Sequence, residues 1–150
     1  EKGVEAASGF GGGTGAISVV GGEFNDNGLA GLELGSFNSD VNLSGASINN
    51  NARLGADLYS PVGVTVGCST FSNHPTGILG QTPLLTLNGV GFFGNTLDYT
   101  NTGLVVINSD CDPASTASGD VHGQGSPLNG SLHANCRAAK GEVDPFCIDE

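Results

Sequence analysis

Basic residues are scarce in this chain: 4 Lys and Arg stand against 15 Asp and Glu, a net charge of −11 over 150 residues. Nucleic acid and anionic membrane surfaces are held by counter-charge, so this balance argues against both as partners. Long apolar runs are also missing. Nothing approaches the roughly 18 consecutive apolar residues that a membrane-spanning helix needs, and no membrane insertion is expected. Met and Trp are absent, and no window repeats its apolar residues at the 3.6-residue period of an amphipathic helix, so almost no helix is expected. The 4 cysteines show no C-x2-C spacing, and His122 and His133 stand in no recognisable ligand array. Zinc is therefore the weakest reading of these residues, and neither a metal nor a cofactor is expected.

What the chain does have is 26 Gly and a repeat. Phe24, Ile48, Phe71 and Phe92 recur at spacings of 24, 23 and 21, each followed three residues later by Asn27, Asn51, His74 or Asn95. Seven residues before each Phe or Ile stand Ile17, Val41, Val64 and Leu85, and five before it stand Val19, Leu43, Val66 and Leu87. Ser18, Asn42, Thr65 and Thr86 lie between them. Apolar, polar, apolar in four successive copies is the pattern of a strand with one face buried. A second strand in each copy is marked by Gly31, Gly55 and Gly77, then Leu32, Ala56 and Ile78, then Leu34 and Leu58. A chain that returns every two dozen residues to the same place, one layer of about 4.8 Å higher, stacks these residues like on like. The expectation is an all-β parallel β-helix of about four to five coils, two strands to a coil, over residues 1–110, with a mostly irregular tail or cap over 111–150. At the corner, the Asn27, Asn51, His74, Asn95 column has two compatible explanations. Stacked amides can hydrogen-bond up the ladder, and Asn tolerates left-handed turns.

The segments Val64-Thr65-Val66-Gly67-Cys68-Ser69-Thr70-Phe71-Ser72-Asn73 and Leu85-Thr86-Leu87-Asn88-Gly89-Val90-Gly91-Phe92-Phe93-Gly94-Asn95 resemble a repeat of the right-handed parallel β-helix, or pectin-lyase-like, superfamily, of the kind found in secreted bacterial proteins. The resemblance spans about Gly15 to Ile107. It implies the fold and leaves function open, because lyases, hydrolases, adhesins and modules without known chemistry share it. Pectate-lyase-like relatives use clustered Asp ligands for calcium and an Arg base. Here the basic residues are Lys2, Arg53, Arg137 and Lys140, only Arg53 of them within the coils, and Asp26, Glu33 and Asp57 are read on scattered columns. That is a solvated acidic surface rather than a catalytic constellation, and no enzymatic activity is expected. Asp110 and Asp112, with Asp144 or Asp149, are read as loop solubilisers before calcium ligands.

Both ends depart from the repeat. Val4 to Ala7 reads as the second strand of an incomplete first coil, followed by the loop Gly9 to Gly13. Leu97 to Thr102 stands where a second strand belongs, and Leu104 to Ile107 as a fifth copy of the first, with Val105 and Ile107 favoured inward. Strand edges exposed at Val4 and Ala6 and at Val105 and Ile107 would accept a neighbouring chain. Cys111, Cys136, Cys147 and Cys68 are cross-link candidates; four cysteines allow three full pairings. Cys68 shares a cramped corner column with Gly21, Gly45 and Gly89 and reads either as a buried free thiol or as a disulfide, though not with Cys111, which lies two coils away. A chain that begins at Glu1 and carries four cysteines fits secretion after loss of a signal segment, and a trimmed chain would look the same. Phe93, Tyr59 and Tyr99 are placed outward and Phe10 and Phe37 in loops, either packed under loops or forming a sugar platform. The row Ser18, Asn42, Thr65, Thr86 lacks the regular Thr array of an ice-binding face, and the sequons at Asn42 and Asn129 are as common as chance in such a composition. These features lead to a secreted structural protein that self-assembles end to end into a filament or surface layer, possible partners being its own copies and a cell-surface polysaccharide. The alternative is a carbohydrate-binding or carbohydrate-active β-helix.

Overall fold

A computed structural model describes residues 1–8 and 15–108, together with the backbone of residues 123–127. The described residues form a parallel β-solenoid of about four turns without a helix. Three strands make each turn. The first face stacks β1 (Val4–Ser8), β4 (Ala30–Ser36), β7 (Leu54–Tyr59), β10 (Thr76–Gln81) and the first half of β13 (Leu97–Asn108). The second face stacks β2 (Ile17–Val20), β5 (Val41–Ser44), β8 (Val64–Gly67), β11 (Leu84–Asn88) and the second half of β13. The third is a ladder of the short strands β3 (Glu23–Asn25), β6 (Ser47–Asn49), β9 (Thr70–Ser72) and β12 (Gly91–Phe93). A fourteenth strand, β14 (Gly123–Pro127), lies parallel against β13.

The count of three corrects the expectation of two strands per coil. Phe24, Ile48, Phe71 and Phe92 are expected as a stacked inward column, outside the two strands of each coil. Each is the single inward residue of a three-residue strand of its own, too short to show an alternation.

Register places the columns directly over one another. Ile17, Val41, Val64, Leu85 and Val105 form one column, and Val19, Leu43, Val66, Leu87 and Ile107 the next. From Val41 to Ile107 these residues are buried, whereas Ile17, Val19 and Phe24, in the lowest layer, are half-buried. Leu104 is exposed and Val105 and Ile107 point inward, as expected of β-branched residues on a pleated surface. Tyr99 departs from its reading. It stands over Ile78 in the Leu32, Ala56, Ile78 column, is buried, and lies 6.4 Å from the Phe92 ring. Each aliphatic or Phe side chain fully buried here contributes about 1.5–3 kcal/mol.

The glycine column of the first face has a steric cause. A Cβ at Gly55 would meet the Gly77 carbonyl oxygen of the next coil, the Phe71 ring at 2.7 Å and the His74 ring at 3.0 Å. Backbone and rings occupy the volume that a side chain would need. Gly55→Ala should therefore cost about 1–3 kcal/mol through overpacking, read as a fall in thermal midpoint, whereas Gly35→Ala, above whose Cα no atom lies within 4 Å, should leave the midpoint almost unchanged.

Candidate functional site

Two adjacent columns build one corner of the solenoid, and they divide the two explanations given for its asparagines. The left-handed conformation belongs to Asp26, Asn50, Asn73 and Gly94, with φ of 59°, 53°, 61° and 64°. Asn and Gly adopt this region at little cost. The residues that follow, Asn27, Asn51, His74 and Asn95, form the hydrogen-bond ladder. The N–H of Asn27 donates to Oδ1 of Asn51 at 2.9 Å, the N–H of Asn51 to Nδ1 of His74 at 3.1 Å, and the N–H of His74 to Oδ1 of Asn95 at 2.9 Å. The same side chains give a bond back to the layer below: Asn51 Nδ2 to the Phe24 carbonyl at 2.8 Å and Asn95 Nδ2 to the Phe71 carbonyl at 3.0 Å. His74 Nε2 lies 3.2 Å from the Ile48 carbonyl in the equivalent position. Only one tautomer serves both contacts, bare at Nδ1 and protonated at Nε2. Burial pushes the pKa of His74 below its ordinary 6.5, partly offset by the carbonyls of Ile48, near Nε2, and of Asn51, 3.4 Å from Nδ1. The column thus satisfies backbone groups at a corner whose middle layers, at Asn51 and His74, are buried.

The outward side of the first face carries charge. Register aligns Glu5, Glu33 and Asp57 in one column, which corrects the reading of Glu33 and Asp57 as scattered; Asp26 alone stands apart, at the corner, accepting a 2.6 Å bond from Asn50 Nδ2. The signal was present in the sequence, since Glu33 sits between Leu32 and Leu34 as Asp57 sits between Ala56 and Leu58. Lys2 bridges the lower end, with Nζ 3.1 Å from Glu5 and 2.5 Å from Glu33. These two partners, Glu33 before Glu5, raise the Lys2 pKa. Asp57 accepts a 3.0 Å bond from the Gln81 amide, and its carboxyl is pushed up, by burial first and by the Glu33 charge as well. The neighbouring outward column runs Ala7, Gly35, Tyr59, Gln81. Two small residues below a Tyr leave a trough of about 410 Å³. The Tyr59 ring forms its wall, 5.5 Å from Phe37 and inclined to it by 51°. Both rings are exposed, as is Phe93.

The strand ends form the third feature. Among the described residues, β1, β2 and β3 at the base each have one ladder partner, and at the other end so does β12. Of the candidate stacking residues, Val4 and Ala6 lie on the open β1. Val105 is paired instead with Pro127 of β14, and Val105 and Ile107 are core residues.

Cys68 takes the left-handed corner position shared with Gly21, Gly45 and Gly89, at φ 47°. It is exposed rather than buried, and it is not a free thiol. Phe10, Cys111, Cys136, Cys147, His122, His133, Asn129, Arg137, Lys140 and the tail acids Asp110, Asp112, Asp144 and Asp149 lie outside the described residues. Among the described residues no group of three or more His, Cys, Asp or Glu is placed to hold a metal ion.

No family model matches the chain, and neither the curated proteins nor the solved structures contain a match.

Proposed function

We propose that the chain is a secreted structural β-solenoid of the pectin-lyase-like type whose copies join end to end into a filament or surface layer. The observation that carries this reading is the base. Three parallel edges, β1, β2 and β3, each without a second ladder partner among the described residues, surround a section of core in which Ile17, Val19 and Phe24 are only half-buried. Such edges accept another strand. β12, which has a single ladder partner among the described residues, offers one at the opposite end. Setting β12 of one copy under β3 of the next continues the third ladder and lays Phe24 over Phe92, one layer spacing of about 4.8 Å away. Base and top differ, so the contact is heterologous and need not close. A disulfide from Cys68 to one of the tail cysteines would brace the coils in an oxidising compartment. The test is assembly. Size-exclusion chromatography and negative-stain microscopy should show concentration-dependent rods, and Val19→Lys, which puts a charge on the apolar base, should leave monomers of unchanged β-sheet circular dichroism. Strictly monomeric wild-type protein at high concentration overturns the reading.

A second reading, carbohydrate binding on the first face, is favoured by the trough beside Tyr59. Concave sites that join an aromatic wall to a few polar groups are the usual form of small-ligand pockets, and an exposed Tyr has both a stacking face and a polar end.

A further inference from the structure

The trough differs from a general acidic surface in three respects. Its floor is open, because Gly35 has no side chain and nothing lies within 4 Å of where one would begin. Its wall is a ring, Tyr59, 36% exposed and held at an angle by Phe37. Its remaining side is the carboxylate column Glu5, Glu33, Asp57. A flat molecule laid on Gly35 would touch the ring along one edge and the carboxylates along the other.

The charge of such a molecule follows from the column. Among the described residues, three carboxylates face one ammonium, that of Lys2, which reaches Glu5 and Glu33. Lys2 shows that an ammonium fits against this column. Asp57, one strand farther, has only the neutral Gln81 amide as its hydrogen-bond donor among the described residues. Its half-buried carboxyl, raised by burial and by Glu33 against the lowering effects of the Gln81 bond and the Lys2 charge, would gain more from an added cation than a fully hydrated one, because the attraction is stronger where water is partly excluded. A uronic acid would add another carboxylate to the three present and be repelled. The volume of about 410 Å³ falls in the range of pockets that hold small ligands.

We propose that this trough binds an amino sugar, with its ammonium between Glu33 and Asp57 and its ring over Gly35 against Tyr59. The proposal rests on the carbohydrate reading above and names the sugar class. Tyr59 supplies stacking and cation attraction together, Glu33 and Asp57 supply charge-assisted hydrogen bonds, and Gln81 offers an amide to a ring hydroxyl.

Titration calorimetry of the full chain with four probes tests it: a glucosamine tetrasaccharide, its fully N-acetylated counterpart, a galacturonate tetrasaccharide and spermidine. The glucosamine oligomer should bind, the N-acetylated one about tenfold or more weakly, and galacturonate not at all; 0.5 M salt should weaken the first, on the order of the loss expected when exposed charges are screened. Asp57→Asn and Tyr59→Ala should each reduce affinity about tenfold or more with the thermal midpoint retained. Equal binding of the acetylated oligomer overturns the ammonium site and leaves the carbohydrate reading standing. Spermidine binding as tightly as the glucosamine oligomer shows that charge alone is recognised and overturns the sugar. Binding of no saccharide overturns both.

Discussion

Phe71→Asp should abolish the fold, giving a chain without β-sheet circular dichroism or a cooperative melt. Phe71 is fully buried at the middle of the third ladder, between Ile48 below and Phe92 above, with its ring stacked 5.6 Å from that of Phe92. Removing the ring alone, as in Phe71→Ala, costs about 3–5 kcal/mol in lost burial and an unfilled cavity. Asp adds a carboxylate with no partner in an apolar column, a further cost of several kcal/mol unless it takes up a proton. Single domains hold only about 5–15 kcal/mol in reserve. A solenoid is more exposed to such damage at its middle than at its ends, because each coil contacts only the coils above and below it. Phe24 provides the internal comparison. It occupies the same column in the half-buried lowest layer, so Phe24→Ala should cost clearly less than Phe71→Ala. Equal losses, or a Phe71→Asp chain that melts like the wild type, would show that the ring does not hold the coils together.

The features that were legible in the sequence are those written with a period. Val64-Thr65-Val66 and Leu85-Thr86-Leu87 alternate over three residues and repeat at the coil spacing, so their inward direction follows from pleat geometry alone. The column of the third face was legible too, but not that it is a strand, because a three-residue strand such as Thr70–Ser72 buries one side chain and shows no alternation. Tyr99 could have been placed. It follows Ile78 by the same 21 residues that separate Phe71 from Phe92, which sets it in the column of Ile78 rather than outward. The place of Glu5 beneath Glu33 and Asp57 was hidden for a different reason. Glu5 and Glu33 are 28 residues apart and Glu33 and Asp57 24 apart, so the first interval departs from the repeat and alignment depends on strand pairing. The corner column shows the reverse: residue type revealed the position, and only geometry could separate the residues that turn the chain from those that bond the layers.

His74 is where that ladder can be broken or kept by choice of side chain. His74→Ala should destabilise the chain by roughly 2–6 kcal/mol, since it leaves the Asn51 N–H and the Ile48 carbonyl buried without their partners at about 1–3 kcal/mol each. His74→Asn should recover most of that loss, because an amide presents the same acceptor and donor and already does so in the layers above and below. The two variants also separate in pH. Burial sets the His74 pKa below 6.5 in the folded chain, so the unfolded chain takes up the proton first. Stability is then full above about 6.5, falls as the pH drops below that value, and levels off once the folded-state pKa is passed. The sign agrees with the geometry: a proton on Nδ1 would point at the Asn51 N–H that this atom accepts. Wild type should therefore lose thermal midpoint between pH 7 and 5 more steeply than His74→Asn, in which the corner carries no titrating group. Parallel pH profiles for the two proteins would mean that the imidazole does not accept the Asn51 N–H, and that the ladder is interrupted at this layer.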